Sequence, residues 1–204
     1  MRSREYIKPF LLAMMISIFP AGLSGSNGTP SRPPGPSSGN VKGDAGMTTI
    51  TVTSTVISNG QPIPVKYTGD GEDISPPLKW SGEPGATREF VLICDDPDAP
   101  VTDPWVHWVV YNIPFTQRSM PEGKPGRSLP DFPPGMKEGK NSFGKTTYGG
   151  PSPPPGHGVH RYFFKIFALD SKIDLPAGAT KNQVLTAMEG HILAKGELVG
   201  TYER

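Results

Sequence analysis

Two segments of this chain are apolar on both alternating faces. Trp105 to Ile113 (WVHWVVYNI) and His160 to Leu169 (HRYFFKIFAL) leave no solvent side for a half-exposed strand. Such segments have to lie in the middle of a sheet that is covered above and below. Arg88 to Cys94 reads as a third strong strand, and Thr48 to Ile57, rich in Thr, Val and Ile, as a fourth. The connections between them are long and rich in Gly and Pro, which number 25 each, and no strand or helix is read in residues 114–159. A loop of that length in a compact domain usually forms a binding surface. One helix is expected late in the chain. Thr180 suits its N-cap, Val184, Leu185, Met188 and Ile192 recur at helical spacing, and Gly190 ends or bends it. Glu197 to Tyr202 then reads as a short terminal strand.

The N-terminal residues are of another kind. In residues 1–25, Arg2, Arg4 and Lys8 precede an apolar run from Phe10 to Phe19 and then small residues. This is the layout of a secretory signal peptide, or of an uncleaved N-terminal anchor, and it is shorter than the ~20 apolar residues of a membrane span. Export to the periplasm or the exterior follows as an expectation. Residues 26–46 are mostly Ser, Gly and Pro and lack large apolar side chains, so they read as a disordered tether. The folded domain is expected over residues 47–204. The formal net charge is +1, and the basic excess lies in the N-terminal segments, which argues against a nucleic-acid partner. The single cysteine, Cys94, forms no internal disulfide and reads as a buried apolar side chain.

Chemistry concentrates at four places: Asp95 to Pro100 (DDPDAP), His107 inside a strand, the Gly149 to Gly156 loop (GGPSPPPG), and His160-Arg161-Tyr162 at a strand start. Side chains two apart on a strand share a face, so His160 and Tyr162 converge while Arg161 points away. An imidazole and a phenol together supply hydrogen-bond donors, and Asp96 and His107 can complete a polar pocket. Taken singly, each has a structural reading: a hydrogen-bonded core histidine, an Asx turn, a shape-setting proline loop.

DDPDAP, WVHW and GGPSPPPGHGVHRYFF, in this order, resemble the phosphatidylethanolamine-binding (Raf kinase inhibitor-like) family. KYTGDGEDISPPLKW (66–80), NSFGKTTYGGP (141–151) and AMEGHILAKGELVGTYER (187–204) are similar to its bacterial and archaeal branch. The resemblance runs from about Met47 to Arg204. It implies a large central antiparallel sheet packed against a smaller one, with C-terminal helical structure. It also implies a small surface cavity for phosphate-like or carboxylate anions, such as a lipid head group or a phosphorylated partner. Carried over by motif, Asp96, His107, His160 and Tyr162 form the site, Gly150 and Pro151 one wall, and Asp98, Pro100, Trp108 and Arg161 its support, with Ala99–Pro100 a candidate cis bond. The chain departs from animal members in its single histidine at Val106-His107-Trp108 and in lacking an extended C-terminal helical tail, so kinase regulation through such a tail is not carried over.

A carboxylate beside a bound anion needs an intervening positive charge, so anion affinity is expected to rise as pH falls through about 6.5, by protonation of His107 or His160. The expected function is non-catalytic binding, in the manner of a kinase or protease modulator, with no cofactor and no metal. A protein partner and a homodimer are further expectations. Two enzymatic alternatives stand beside it: a hydrolase using Ser152 with a histidine and Asp96, and a metal cluster of His107, His157, His160 and Asp96. Ser152, between Pro151 and Pro153, lacks the G-x-S-x-G elbow, and the histidines lack helical ligand spacing.

Overall fold

In the computed structural model, residues 48–125 and 133–204 are described. The segments read as signal peptide or anchor (1–25) and tether (26–46) lie outside them, as do residues 126–132. The elements, in chain order, are β1 (Thr48–Thr49), β2 (Thr51–Thr53), β3 (Gln61–Pro62), a 3-10 turn (Val65–Tyr67), β4 (Leu78–Ser81), β5 (Glu89–Asp96), β6 (Trp105–Pro114), β7 (Ser119–Met120), β8 (Lys137–Glu138), β9 (His160–Leu169), α1 (Lys181–Met188) and β10 (Ile192–Tyr202).

The large sheet runs β1-β10-β9-β5-β6-β8, and β2-β4-β7 form a smaller one. Its body is antiparallel as expected, but β1 and β3 both join β10 in parallel, so the whole is a mixed sheet. The doubly apolar segments β6 and β9 flank β5 at its centre. Alternation along β5 explains its complete burial. Phe90, Leu92 and Cys94 enter one core with Trp80 of the small sheet and with Trp108, Phe164 and Ile166. Val91 and Ile93 enter a second core with Val109, Tyr111 and the helix residues Val184 and Met188. Burying each such large side chain contributes about 1.5–3 kcal/mol, so the two cores and not the short edge strands carry the fold.

Helix α1 starts at Thr180, whose Oγ1 accepts from Gln183 N while Gln183 Oε1 accepts from Thr180 N, a full capping box. Three expectations need correction. The Thr48 to Ile57 strand is broken at Ile50, whose N–H turns to Lys195 O (2.9 Å), and its last part is not strand. The terminal strand is much longer than Glu197 to Tyr202, because it pairs with β9 along nearly its whole length. Residues 114–159 contribute two two-residue strands, β7 and β8. No helix among the described residues is long and apolar enough to cross a membrane.

Candidate functional site

The end of β5 and the starts of β6 and β9 lie side by side at one end of the large sheet. There they form the floor of a cavity of about 210 Å³, lined by Asp96, His107, His160 and Tyr162 together with Pro100, Val101, Trp105, Phe143, Ser152, Pro153 and Pro154. A larger groove of about 530 Å³ adjoins it, sharing Phe143 and Ser152. The smaller cavity brings together the buried side chains of Asp96, His107, His160 and Tyr162. The walls are largely proline and aromatic, and the polar groups sit at the bottom.

Two backbone devices bring these groups together. Asp96 follows Cys94 by two positions on β5, so it shares the face of the core that holds Tyr162 and Phe164. On β6 the partners of Cys94 and Asp95 are Trp108 and Val106, so the ladder carries one extra residue, His107. This bulge re-aims the His107 ring onto the Tyr162 ring (centroids 5.1 Å apart, edge to face) instead of leaving it beside Val109 and Tyr111.

Asp96 is fully engaged. Its Oδ1 accepts from Asp98 N (2.8 Å) and its Oδ2 from His160 Nδ1 (2.7 Å), both ends of the latter pair being buried. His107 Nδ1 donates to Gly149 O (2.6 Å), which leaves Nε2 with the lone pair. Burial lowers the His107 pKa and so favours the neutral imidazole. The expectation that His107 supplies positive charge near pH 6.5 is therefore corrected: desolvation of the buried ring opposes it. Tyr162 Oη is buried and has no hydrogen-bond partner among the described residues. Burial, and then the charge of Asp96, push its pKa far up, so it remains a donor.

The supporting residues divide. Asp98 accepts from Nε, Nη2 and the backbone N–H of Arg161 (2.8, 2.8 and 2.9 Å), and this holds its carboxyl below the usual range. Pro100 lines the cavity, but its peptide bond to Ala99 is trans. Trp108 stands behind the site, with Nε1 on Glu138 Oε1 (2.9 Å) and its ring against Tyr148. Gly150 and Pro151, expected as a wall, do not face the small cavity; Ser152, Pro153 and Pro154 do. Gly150 instead holds the loop from behind. Its N–H donates to Asp73 Oδ1 (2.6 Å), and a Cβ there would come within 2.7 Å of Tyr67 O.

Ser152 Oγ accepts from Arg204 Nη1 (3.2 Å) and is not poised on a histidine. Among the described residues no group of His, Cys, Asp or Glu side chains converges as a metal site. His157 and His160 meet nitrogen to nitrogen at 2.7 Å, in a line with Asp96. Sequence reasoning missed Asp73, Phe143 and Trp105. Phe143 packs edge-on against both Trp105 (5.4 Å) and His107 (5.6 Å), and Asn141 Oδ1 accepts from Phe143 N and Lys145 N, so the exposed ring is held in place. Asp73 stands in an acidic Gly-rich loop, GDGEDIS, where its φ of 54° gave no sequence signal.

The family model for phosphatidylethanolamine-binding protein matches residues 53–203. The UPF0098 protein of Methanothermobacter thermautotrophicus is 52% identical over 144 residues, which is 70% of this chain and 91% of that protein. Among solved structures, a phosphatidylethanolamine-binding protein homolog from Chlamydia trachomatis is 40% identical, covers 76% of this chain and 98% of its own, and superposes with a TM-score of 0.68. The E. coli protein YbcL, described as a member of the mammalian family, is 34% identical with the same coverage and a TM-score of 0.71. The motifs, the two-sheet fold and these matches agree, and the chain belongs to the phosphatidylethanolamine-binding protein family.

Proposed function

We propose that this protein is a non-catalytic binding module whose small cavity takes a phosphate-like or carboxylate group, carried by a lipid head group or a phosphorylated partner. The observation that carries the reading is the Tyr162 hydroxyl, buried at the cavity floor with no hydrogen-bond partner among the described residues. An unmade hydrogen bond in the interior costs about 1–3 kcal/mol, so a ligand oxygen that accepts from it recovers that energy. Asp96 and His160 stand beside it, and the proline and aromatic walls suit the apolar stem behind a charged tip. Export, action on a kinase or protease, and a homodimer belong to the same proposal; residues 1–25 carry the first, and family likeness the others.

Few charge-assisted bonds and a small ligand imply weak binding of an isolated head group, with Kd on the order of 0.1–10 mM. The test is a phosphorus NMR titration of glycerophosphoethanolamine with the full chain, beside Tyr162→Phe and His160→Ala. A ligand signal that broadens or shifts without new peaks, lost in His160→Ala and about tenfold weaker in Tyr162→Phe, supports the reading. New phosphorus peaks growing with time and abolished by the substitutions make the protein a phosphoesterase instead.

A further inference from the structure

His157 is the titratable group beside the cavity that this reading leaves unused. It is exposed and stands between Gly156 and Gly158, both at positive φ (74° and 92°); its N–H donates to Pro154 O (3.1 Å) and that of Gly156 to Arg204 O (2.9 Å), so the loop is held and the imidazole is free to turn about its own side-chain bonds. Its Nδ1 lies 2.7 Å from His160 Nε2, and His160 Nδ1 lies 2.7 Å from Asp96 Oδ2. A carboxylate only accepts, so His160 carries its hydrogen on Nδ1. Neutral His160 then has its lone pair on Nε2, and the hydrogen of the second contact belongs to His157 Nδ1. In the free protein, the His160 nitrogen that faces away from Asp96 is therefore already taken.

The charges around the pair show what an anion would require. At the end of β5, Asp96 and Asp98 are negative. On β9, Arg161 is spent on Asp98. Beyond β10, Arg204 pairs with Asp70 and Ser152, and Tyr202, in register with His160, donates to Asp70. On β6, burial opposes a charge on His107, and on β9 burial holds the proton on Tyr162. No Lys or Arg lines the small cavity among the described residues. Protonating His160 alone only cancels Asp96. A net positive receptor needs a second charge, and His157 is the group placed to bring it.

We propose that His157 is an anion-binding arm of this pocket, which holds His160 Nε2 in the free protein and, with both imidazoles protonated, turns to donate alongside His160 to one bound oxyanion. This rests on the anion-pocket reading above. It makes binding proton-linked: the single hydrogen shared by the facing nitrogens becomes two, and the pair takes up protons as the oxyanion enters.

The experiment is a titration of the full chain with inorganic phosphate, read by long-range proton–nitrogen NMR of the imidazoles at about pH 6 and about pH 8, on either side of the ordinary histidine value. Wild type is compared with His157→Ala and His157→Gln, whose exposed position leaves the fold intact. The expectation is that His157 and His160 nitrogens move together to the protonated range as phosphate saturates. Phosphate should bind about tenfold tighter at the lower pH, and both variants should lose most of that gain. Phosphate that shifts His160 while His157 stays still, or variants that bind as tightly as wild type or tighter, overturns the role of His157 and leaves the pocket standing. Phosphate that shifts no histidine and is indifferent to His160→Ala overturns the pocket and the arm together.

Discussion

Asp95 and Asp96 are neighbours on one strand, yet they illustrate two uses of a buried carboxylate. Alternation along β5 sends Asp95 to the helix side of the sheet, where Lys165 Nζ (2.7 Å) and Lys181 Nζ hold one oxygen each. Lys165 comes from β9 and Lys181 from the first turn of α1, so one charge ties three elements together. Asp96, on the other side, meets imidazole and backbone N–H groups only. The first carboxylate is neutralised by two ammonium groups; the second is met by one imidazole and one backbone N–H, with no Lys or Arg on it. One arrangement ties elements together, and its neighbour lines a cavity.

The contrast breaks most visibly on the structural side. Asp95→Ala leaves two partly buried lysines without a counter-charge, and urea unfolding should show a loss of about 3 kcal/mol, with head-group binding still measurable. A stability close to wild type would mean that the lysines reach solvent and that Asp95 ties nothing. Asp96→Asn should cost less, about 1 kcal/mol, since the amide still caps Asp98 N. Its effect belongs to binding. Without the carboxylate, His160 Nδ1 loses its acceptor and the ring its fixed orientation, and phosphate affinity should change by about tenfold. An unchanged affinity would separate Asp96 from the pocket. The smallest effect concerns His107. Its folded pKa is depressed by burial, so below about 6.5 the unfolded chain takes a proton that the folded protein refuses. Stability is then lost as pH falls through that window, by at most about 1.4 kcal/mol per pH unit for this group. Urea midpoints at about pH 7 and about pH 5 should differ less in His107→Gln than in wild type; an equal difference would put the sensitivity elsewhere.

The sequence carried the centre of this fold better than its edges. β5, β6 and β9 are legible because burial on both faces leaves an uninterrupted apolar run, and Thr180 because a cap is a local device. β10 was underestimated since Lys195 and Gly196 interrupt its apolar pattern, and its length comes from pairing with a strand far away in sequence. At Gly196 an added Cβ would strike Ile50 O, so the glycine that hides the strand is required by the crossing of β1. In the site, the shared face of His160 and Tyr162 follows from period-two spacing, while their role is what the family resemblance implies. His107 reaches the same face only through a bulge, which a strict alternation of β6 would have denied. The position of Gly150 was misread for a related reason: its small size looks like room for a ligand but is filled by the backbone of Tyr67 and Thr68.

The three tryptophans divide along the same lines. Trp80 and Trp108 are sealed in the core at 1% and 0% exposure, whereas Trp105 is half-buried and forms part of the cavity wall against Phe143. An indole in each setting makes the protein its own optical instrument. The sealed pair reports melting of the sandwich, and Trp105 responds to what enters the cavity, so a chain keeping Trp105 as its sole fluorophore would signal occupancy without any attached dye.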